Sequence, residues 1–107
     1  MKRGEIWTVS GAGYAGKPRP AVIVQNDLFE ATTSVGICVF TSDDTESRWL
    51  RLPVSPSKNN GLRSTSRMMV DKITTVNRAR LGQRIGRLED AEMVRLERAI
   101  LVFFGLA

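Results

Sequence analysis

Apolar and polar residues change over in short spans along most of this chain and settle into a helical period only near its end. Residues 5–9, EIWTV, alternate, which puts Ile6 and Thr8 on one face of a strand and Trp7 and Val9 on the other. Residues 20–25, PAVIVQ, form a near-continuous apolar run of strand length and predict a buried strand. Asn26 and Asp27 end it and can cap a short turn over 28–31. Residues 34–40 predict a second buried strand, and TSDDTES at 41–47 a polar loop. An alternating strand over 49–54 is stopped by Pro53 and Pro56, and 57–61 forms a turn. Two more short strands, 66–73 and 82–87, are joined by a polar turn or half-helix over 75–81. From there Met93, Leu96, Ile100 and Phe103 or Phe104 recur at helical spacing, with Glu89 or Asp90 able to cap the start. The helix face with Leu101, Phe103 and Phe104 is expected in the core, with any excess apolar surface there able to serve a dimer. Several short strands and one terminal helix predict a mainly β fold, a small twisted sheet or barrel with a C-terminal helix, as one domain over residues 1–107.

Composition narrows the chemistry. The longest apolar run, residues 99–104, is far too short to span a membrane, and the N-terminal MKRGEIWTV has no signal-peptide pattern. A lone cysteine, Cys38, forbids an internal disulfide and points to a reducing, cytoplasmic setting. With one cysteine and no histidine there are few ligands for zinc or a redox metal, and neither metal nor cofactor is expected. The absence of histidine also excludes a ribonuclease built on a histidine acid–base pair and any Ser-His-Asp hydrolase. Sixteen basic residues against eleven acidic ones give a net charge of +5, and twelve of the sixteen are arginine. The planar fork of arginine binds phosphate in a bidentate way, which suits nucleic acid; an arginine-favouring codon bias accounts for the same excess.

Two glycine patterns mislead. GAGYAG at residues 11–16 fits the dinucleotide-binding fingerprint G-x-G-x-x-G, and GAGYAGKP nearly fits the phosphate-binding loop G-x-x-x-x-G-K-[ST]. Both motifs need a helix to follow at once. Pro18 and Pro20 forbid one, and Pro18 stands where a magnesium-binding hydroxyl belongs. The stretch reads instead as a glycine loop between two strands.

RGEIW at 3–7 and GKPRPAVIVQND at 16–27 resemble the MazF/PemK/Kid family of toxins. The likeness continues through Phe40-Thr41-Ser42, Gly61-Leu62, Met69-Val70-Asp71-Lys72-Ile73 and Arg80-Leu81, with residues 43–58 least constrained. The resemblance implies an SH3-like barrel with a C-terminal helix, usually a homodimer. It implies a metal-independent endoribonuclease that cuts single-stranded RNA and is held inactive by an antitoxin. In the family the arginine of the R-P motif and a threonine at the end of the later strand form the catalytic pair. They correspond to Arg19 and Thr41.

The chemistry is reasonable on its own terms. When a ribose 2′-hydroxyl attacks its neighbouring phosphate, charge builds on the non-bridging oxygens, which an arginine stabilises with directed donors. A threonine hydroxyl can align the reacting groups. Taken singly, Arg19 also reads as a solvated strand-edge charge, and Thr41 as a β-branched strand end. The RNA-binding candidates are Lys17, Pro20, Ser42, Arg67, Asp71 and Lys72. Three of them have a plainer reading: Lys17 is solvated, Ser42 caps a turn, and Asp71 pairs with a neighbouring arginine. By alternation Asp71 shares a strand face with Met69 and Arg67. One branch of the family carries a catalytic arginine where this chain has Met69, so that variant of the mechanism is not expected. Trp7 is expected in the core or an interface, Trp49 is a minor candidate for base stacking, and Cys38 is expected to be inert. Two other functions share the pattern. One is a non-enzymatic gyrase poison of the CcdB type, which acts through a C-terminal tryptophan that VFFGLA lacks. The other is a nucleic-acid-binding barrel without turnover. An acidic-tailed, partly disordered antitoxin would complement the basic groove.

Overall fold

The computed structural model describes residues 1–11 and 17–107, so the glycine-loop reading of residues 12–16 lies outside the described residues. Seven strands and one helix follow in order: β1 (Glu5–Val9), β2 (Arg19–Ile23), β3 (Ser34–Thr41), β4 (Arg51–Val54), β5 (Ser66–Met69), β6 (Thr74–Asn77), β7 (Leu81–Arg87) and α1 (Asp90–Phe103). One sheet runs β4-β5-β3-β2-β1-β7, with β6 also on β3, and every pairing is antiparallel. The expected mainly β architecture with a C-terminal helix is what forms.

β3 organises the sheet because both of its faces are buried. Val22, Cys38 and Phe40 face one cluster, which includes Leu52, Met68, Leu88 and the helix residues Leu96 and Ala99. Ala21, Ile23, Val35, Ile37 and Val39 face the other, with Val9. The unbroken apolar runs of β2 and β3 follow directly from this double burial. In β1 the alternation divides the same way: Ile6 enters the first cluster, while Val9 enters the second and half-buried Trp7 packs against it. Trp7 Nε1 donates to Glu5 Oε1 at 3.0 Å.

One edge of β3 holds β2. The other holds β5 and β6 in turn, and here the structure departs from the expectation of one strand over 66–73. Phe40 pairs with Met68 and Thr41 with Arg67, whereas Ile37 pairs with Thr74 and Gly36 with Thr75. Paired numbers sum to 108 in the first ladder and 111 in the second. Three residues are therefore inserted between them, and they form the 3-10 turn Val70–Lys72. Asp71 thus leaves the strand face of Met69 and Arg67. The expected half-helix over 75–81 resolves into strand β6 and a short 3-10 turn, Arg78–Arg80, capped by Asn77. Pairing with β3 outweighs the polar character of TTVN, as edge strands allow.

Asp71 instead bonds the Arg51 guanidinium, which also donates to Leu50 O at 2.8 Å. The hydrogen bond from Arg51, reinforced by its charge, holds the Asp71 carboxyl below its usual value near 3.8 despite the opposing effect of burial. The pair ties the 3-10 turn to the start of β4, and Val70 N donates to Leu50 O across the same junction. β4 is shorter than expected, and Trp49 lies outside it, 40% exposed, with the Arg48 guanidinium 5.1 Å from its ring. The first 3-10 turn, Asp27–Phe29, is capped by Asn26 as read.

Helix α1 starts in a capping box, in which the Glu89 side chain accepts from the backbone of Glu92 and the Glu92 carboxylate accepts from Glu89 N at 3.0 Å. It is docked by Leu96 and Ala99, with Met93 and Ile100 partly covered. Arg3 clamps it to the sheet by bonding Glu97 at 2.7 Å and the Val24 carbonyl. Its last turn does not enter the core. Leu101, Phe103 and Phe104 are exposed, and the helix's packing against the core cluster stops with Ala99 and Ile100.

The β4–β5 connection crosses the free edge of β7, where Arg87 N donates to Asn59 O at 2.8 Å. Buried Asn60 sets its shape. Its Oδ1 accepts from Ser57 N and Leu62 N at 2.9 Å each, and its Nδ2 donates to Ser55 O at 2.8 Å. Gly61 follows with φ +69°, and a β-carbon there would strike the Ile85 carbonyl.

Two measurements test these restraints. Asn60→Ala leaves buried backbone groups unpaired and is expected to cost roughly 2–4 kcal/mol in urea unfolding; an unchanged midpoint would mean the loop is held by other contacts. Asp71→Asn is expected to cost about 1 kcal/mol near neutrality. Because folding lowers this pKa, the difference is present above the unfolded value and fades as pH falls through the folded one. A difference that persists at pH 2 would contradict the ion-pair assignment.

Candidate active site

The β2–β3 ladder pairs Ala21 with Val39, Val22 with Cys38 and Ile23 with Ile37, each pair summing to 60. Carried on two positions, the same register sets Arg19, the first residue of β2, level with Thr41, the last of β3. Both lie past the paired stretch, at the rim of the sheet. They line a groove of about 570 Å³ together with Pro18, Pro20, Phe40, Ser42, Leu62 and Arg63. Buried Phe40 and Leu62 give it an apolar floor.

Its polar lining has one electrostatic sense. Among the described residues the walls carry two guanidinium groups, Arg19 and Arg63, and five hydroxyls, from Thr8, Thr41, Ser42, Ser64 and Ser66, with no carboxylate. Arg19 is exposed and forms no salt bridge with a described residue. An arginine that is neither neutralised nor immobilised at the mouth of an acid-free groove is suited to bind an anion.

Thr41 is half-buried, and its Oγ1 accepts a hydrogen bond from Asp43 N at 3.2 Å. With the oxygen so occupied, the hydroxyl proton is available to a ligand. The following loop is folded on itself. Asp43 accepts from the Thr45 backbone N–H and hydroxyl, which hold its carboxyl below the ordinary value, and Arg67 donates to Asp43 O at 3.4 Å.

Of the eight residues singled out from the sequence, Arg19, Pro20, Thr41 and Ser42 are brought together. The other four are not part of this lining. Lys17 is exposed beside Pro18; Arg67 holds the loop after Thr41; Asp71 is engaged with Arg51; and Lys72 is exposed on the 3-10 turn. Sequence reasoning missed Thr8, Arg63, Ser64, Ser66 and Gln83. The polar cluster RSTSR directly after the Asn60-Gly61 turn was the available signal for the middle three.

A larger groove, about 800 Å³, lies beside the start of α1 between Lys58, Arg84 and Arg87. Its cations are less free: Arg84 pairs with Glu5 at 3.1 Å, Arg87 lies 3.9 Å from Asp90, and Glu89 and Asp90 line it too. The smaller groove is the better candidate, because it is lined by both Thr41 and a cation, Arg19, that forms no salt bridge with a described residue.

Comparison with known proteins identifies the family. Residues 2–104 match the family described as PemK-like, MazF-like toxins of type II toxin–antitoxin systems. The chain is 48% identical over 108 residues to a probable endoribonuclease MazF of Mycolicibacterium smegmatis, covering 100% of this chain and 99% of that protein. It is 30% identical over 115 residues to endoribonuclease MazF9 of Mycobacterium tuberculosis, covering 99% and 98%. Its fold superposes with a TM-score of 0.81 on a mycobacterial endoribonuclease solved with its cognate antitoxin, at 21% identity, covering 100% of this chain and 97% of that one. With both the fold and nearly the whole sequence matched, the chain belongs to the PemK-like, MazF-like family of type II toxin–antitoxin toxins.

Proposed function

We propose that this toxin is an endoribonuclease that cuts single-stranded RNA without a metal ion, with Arg19 and Thr41 as its catalytic residues. The observation that supports the reading is a guanidinium with no ion-pair partner among the described residues, level with a hydroxyl in a groove whose described lining has no carboxylate. The scissile phosphate sits between them. The 2′-oxygen attacks phosphorus in line, the bond to the 5′-oxygen breaks, and the net proton transfer is from the 2′-hydroxyl to that leaving oxygen. The products are a 2′,3′-cyclic phosphate and a 5′-hydroxyl.

Arg19 holds two phosphate oxygens as their charge grows, and it stays charged throughout. Thr41 donates its proton to a phosphate oxygen or to the attacking hydroxyl, fixing the angle of approach. Ser42 and Pro20 border the same groove, and Lys17 beside it adds charge toward the RNA backbone.

The +5 charge and basic groove suit an antitoxin whose acidic, partly disordered tail lies over the site, and the mycobacterial structural relative was solved with its cognate antitoxin. The uncovered apolar end of α1, with Leu101, Phe103 and Phe104, supports a homodimer. A single reduced thiol and an RNA substrate fit the cytoplasm.

The test is cleavage of RNA by the purified protein in excess EDTA, with the end groups identified. Arg19→Ala is expected to lower kcat by about 100- to 1,000-fold, the loss seen when one donor to a developing oxyanion is removed. Thr41→Val, which keeps shape but not the hydroxyl, is expected to lower kcat with little effect on unfolding. Wild-type protein that fails to cut, or Arg19→Ala that cuts normally, would refute the assignment.

A further inference from the structure

Strand β7 does not pair regularly with β1. Glu5 pairs with Arg87 and Ile6 with Gly86, but Trp7 pairs with Arg84 and Val9 with Leu81. The paired numbers sum to 92, 92, 91 and 90, so β7 carries two extra residues, one in each of two bulges. The second bulge lies opposite Thr8 and contains Gly82 and Gln83. There the ladder is replaced by a side-chain bond, with Gln83 N donating to Thr8 Oγ1 at 2.9 Å. Gly82 is required by the same contact, because a β-carbon would sit 2.6 Å from Thr8 Oγ1. A bulge re-aims the side chain it carries. Here Gln83 is exposed on the wall of the Arg19–Thr41 groove, and its amide has no hydrogen-bond partner among the described residues.

We propose that Gln83 reads the base of the nucleotide next to the scissile phosphate, with Thr8 as its positioning residue; this rests on the ribonuclease reading above. Thr8 also pairs with Pro20, so Gln83, Thr8 and Pro20 lie side by side on three neighbouring strands. Two strand spacings make roughly 10 Å, comparable with the span from a nucleotide's phosphate to the far edge of its base. With its phosphate at Arg19, a nucleotide lying across the strands reaches Gln83 with its base edge. Leu62 and Ile85 supply apolar surface for the face of that base. A primary amide offers one donor and one acceptor side by side, the pattern needed to pair with the edge of an unstacked base. The order of labour is then plain: Arg19 and Thr41 contact what every nucleotide shares, and Gln83 contacts what differs.

The experiment is cleavage of a randomised single-stranded RNA pool, sequenced at the cut ends, by wild type, Gln83→Ala, Gln83→Glu and Thr8→Val. Wild type is expected to prefer particular bases at a position adjoining the cut. Gln83→Ala flattens that preference by about tenfold at that position alone, the discrimination expected of one bidentate base contact. Gln83→Glu, which has only acceptors, shifts it toward guanine, whose Watson–Crick edge presents two adjacent donors. Thr8→Val, which frees the bulge, flattens the same position partially. If a variant does not cut, the same comparison is read as base preference in its binding to a fully 2′-O-methylated random pool. Base profiles adjoining the cut that are the same in wild type and both Gln83 variants, or a wild type with no preference there, overturn the proposal. Wild-type protein that cuts no RNA in EDTA overturns the ribonuclease reading itself, a different outcome.

Discussion

The register of β2 on β3 is the constraint from which the site follows. Ala21, Val22, Ile23, Ile37, Cys38 and Val39 are all buried, alternately in two separate clusters. Slipping one strand by a single residue would exchange the faces of every one of these side chains. In many sheets such a slip exposes one apolar face; here it would mismatch two cores at once. Arg19 and Thr41 lie at the ends of these same strands, so core packing rather than any direct bond between them sets them level. The proposed catalytic pairing inherits its register from buried aliphatic residues of the two strands.

The groove wall is built by different means. Side-chain hydrogen bonds around Asn60 fold the β4–β5 connection, and the contact of that connection with β7 fixes where Leu62 and Arg63 face the site. Loops shaped by such local bonds can alter their exposed residues without disturbing the bonds themselves. On the proposed reading, the scaffold for bond breaking belongs to the sheet, and the scaffold for contact with the rest of the RNA belongs to loops and bulges at its margin.

Strands with strong apolar signals were legible in the sequence, as was the helix with its capping glutamate, because burial imposes a period that a reader can see. The proposed catalytic pair was legible only through the likeness carried by RPAVIVQND and Phe40-Thr41-Ser42; charge pattern alone left Arg19 ambiguous. What stayed hidden depends on partners distant in the chain. A strand over TTVN exists because β3 offers it an edge. The turn that removes Asp71 from its expected face exists because β3 accommodates two ladders three residues out of step. Gln83 had no signature either, since a bulge is a mismatch between two strands and cannot be seen in one. The exposed Phe103 and Phe104 show the opposite error, where a helical period ran on past the sheet that could have buried it.

Cys38, at the centre of β3, has a consequence for how activity responds to its surroundings. Burial pushes its thiol up to about 12, and the chain has no histidine. Histidine is the side chain whose ordinary pKa falls between about 5 and 8, and this sequence has none. The thiol that could have served as a proton-sensitive switch in its place is held neutral inside the sheet. A toxin built this way has neither an imidazole nor a thiol through which a small pH excursion could set its activity, and its control is left to the antitoxin that a type II system supplies.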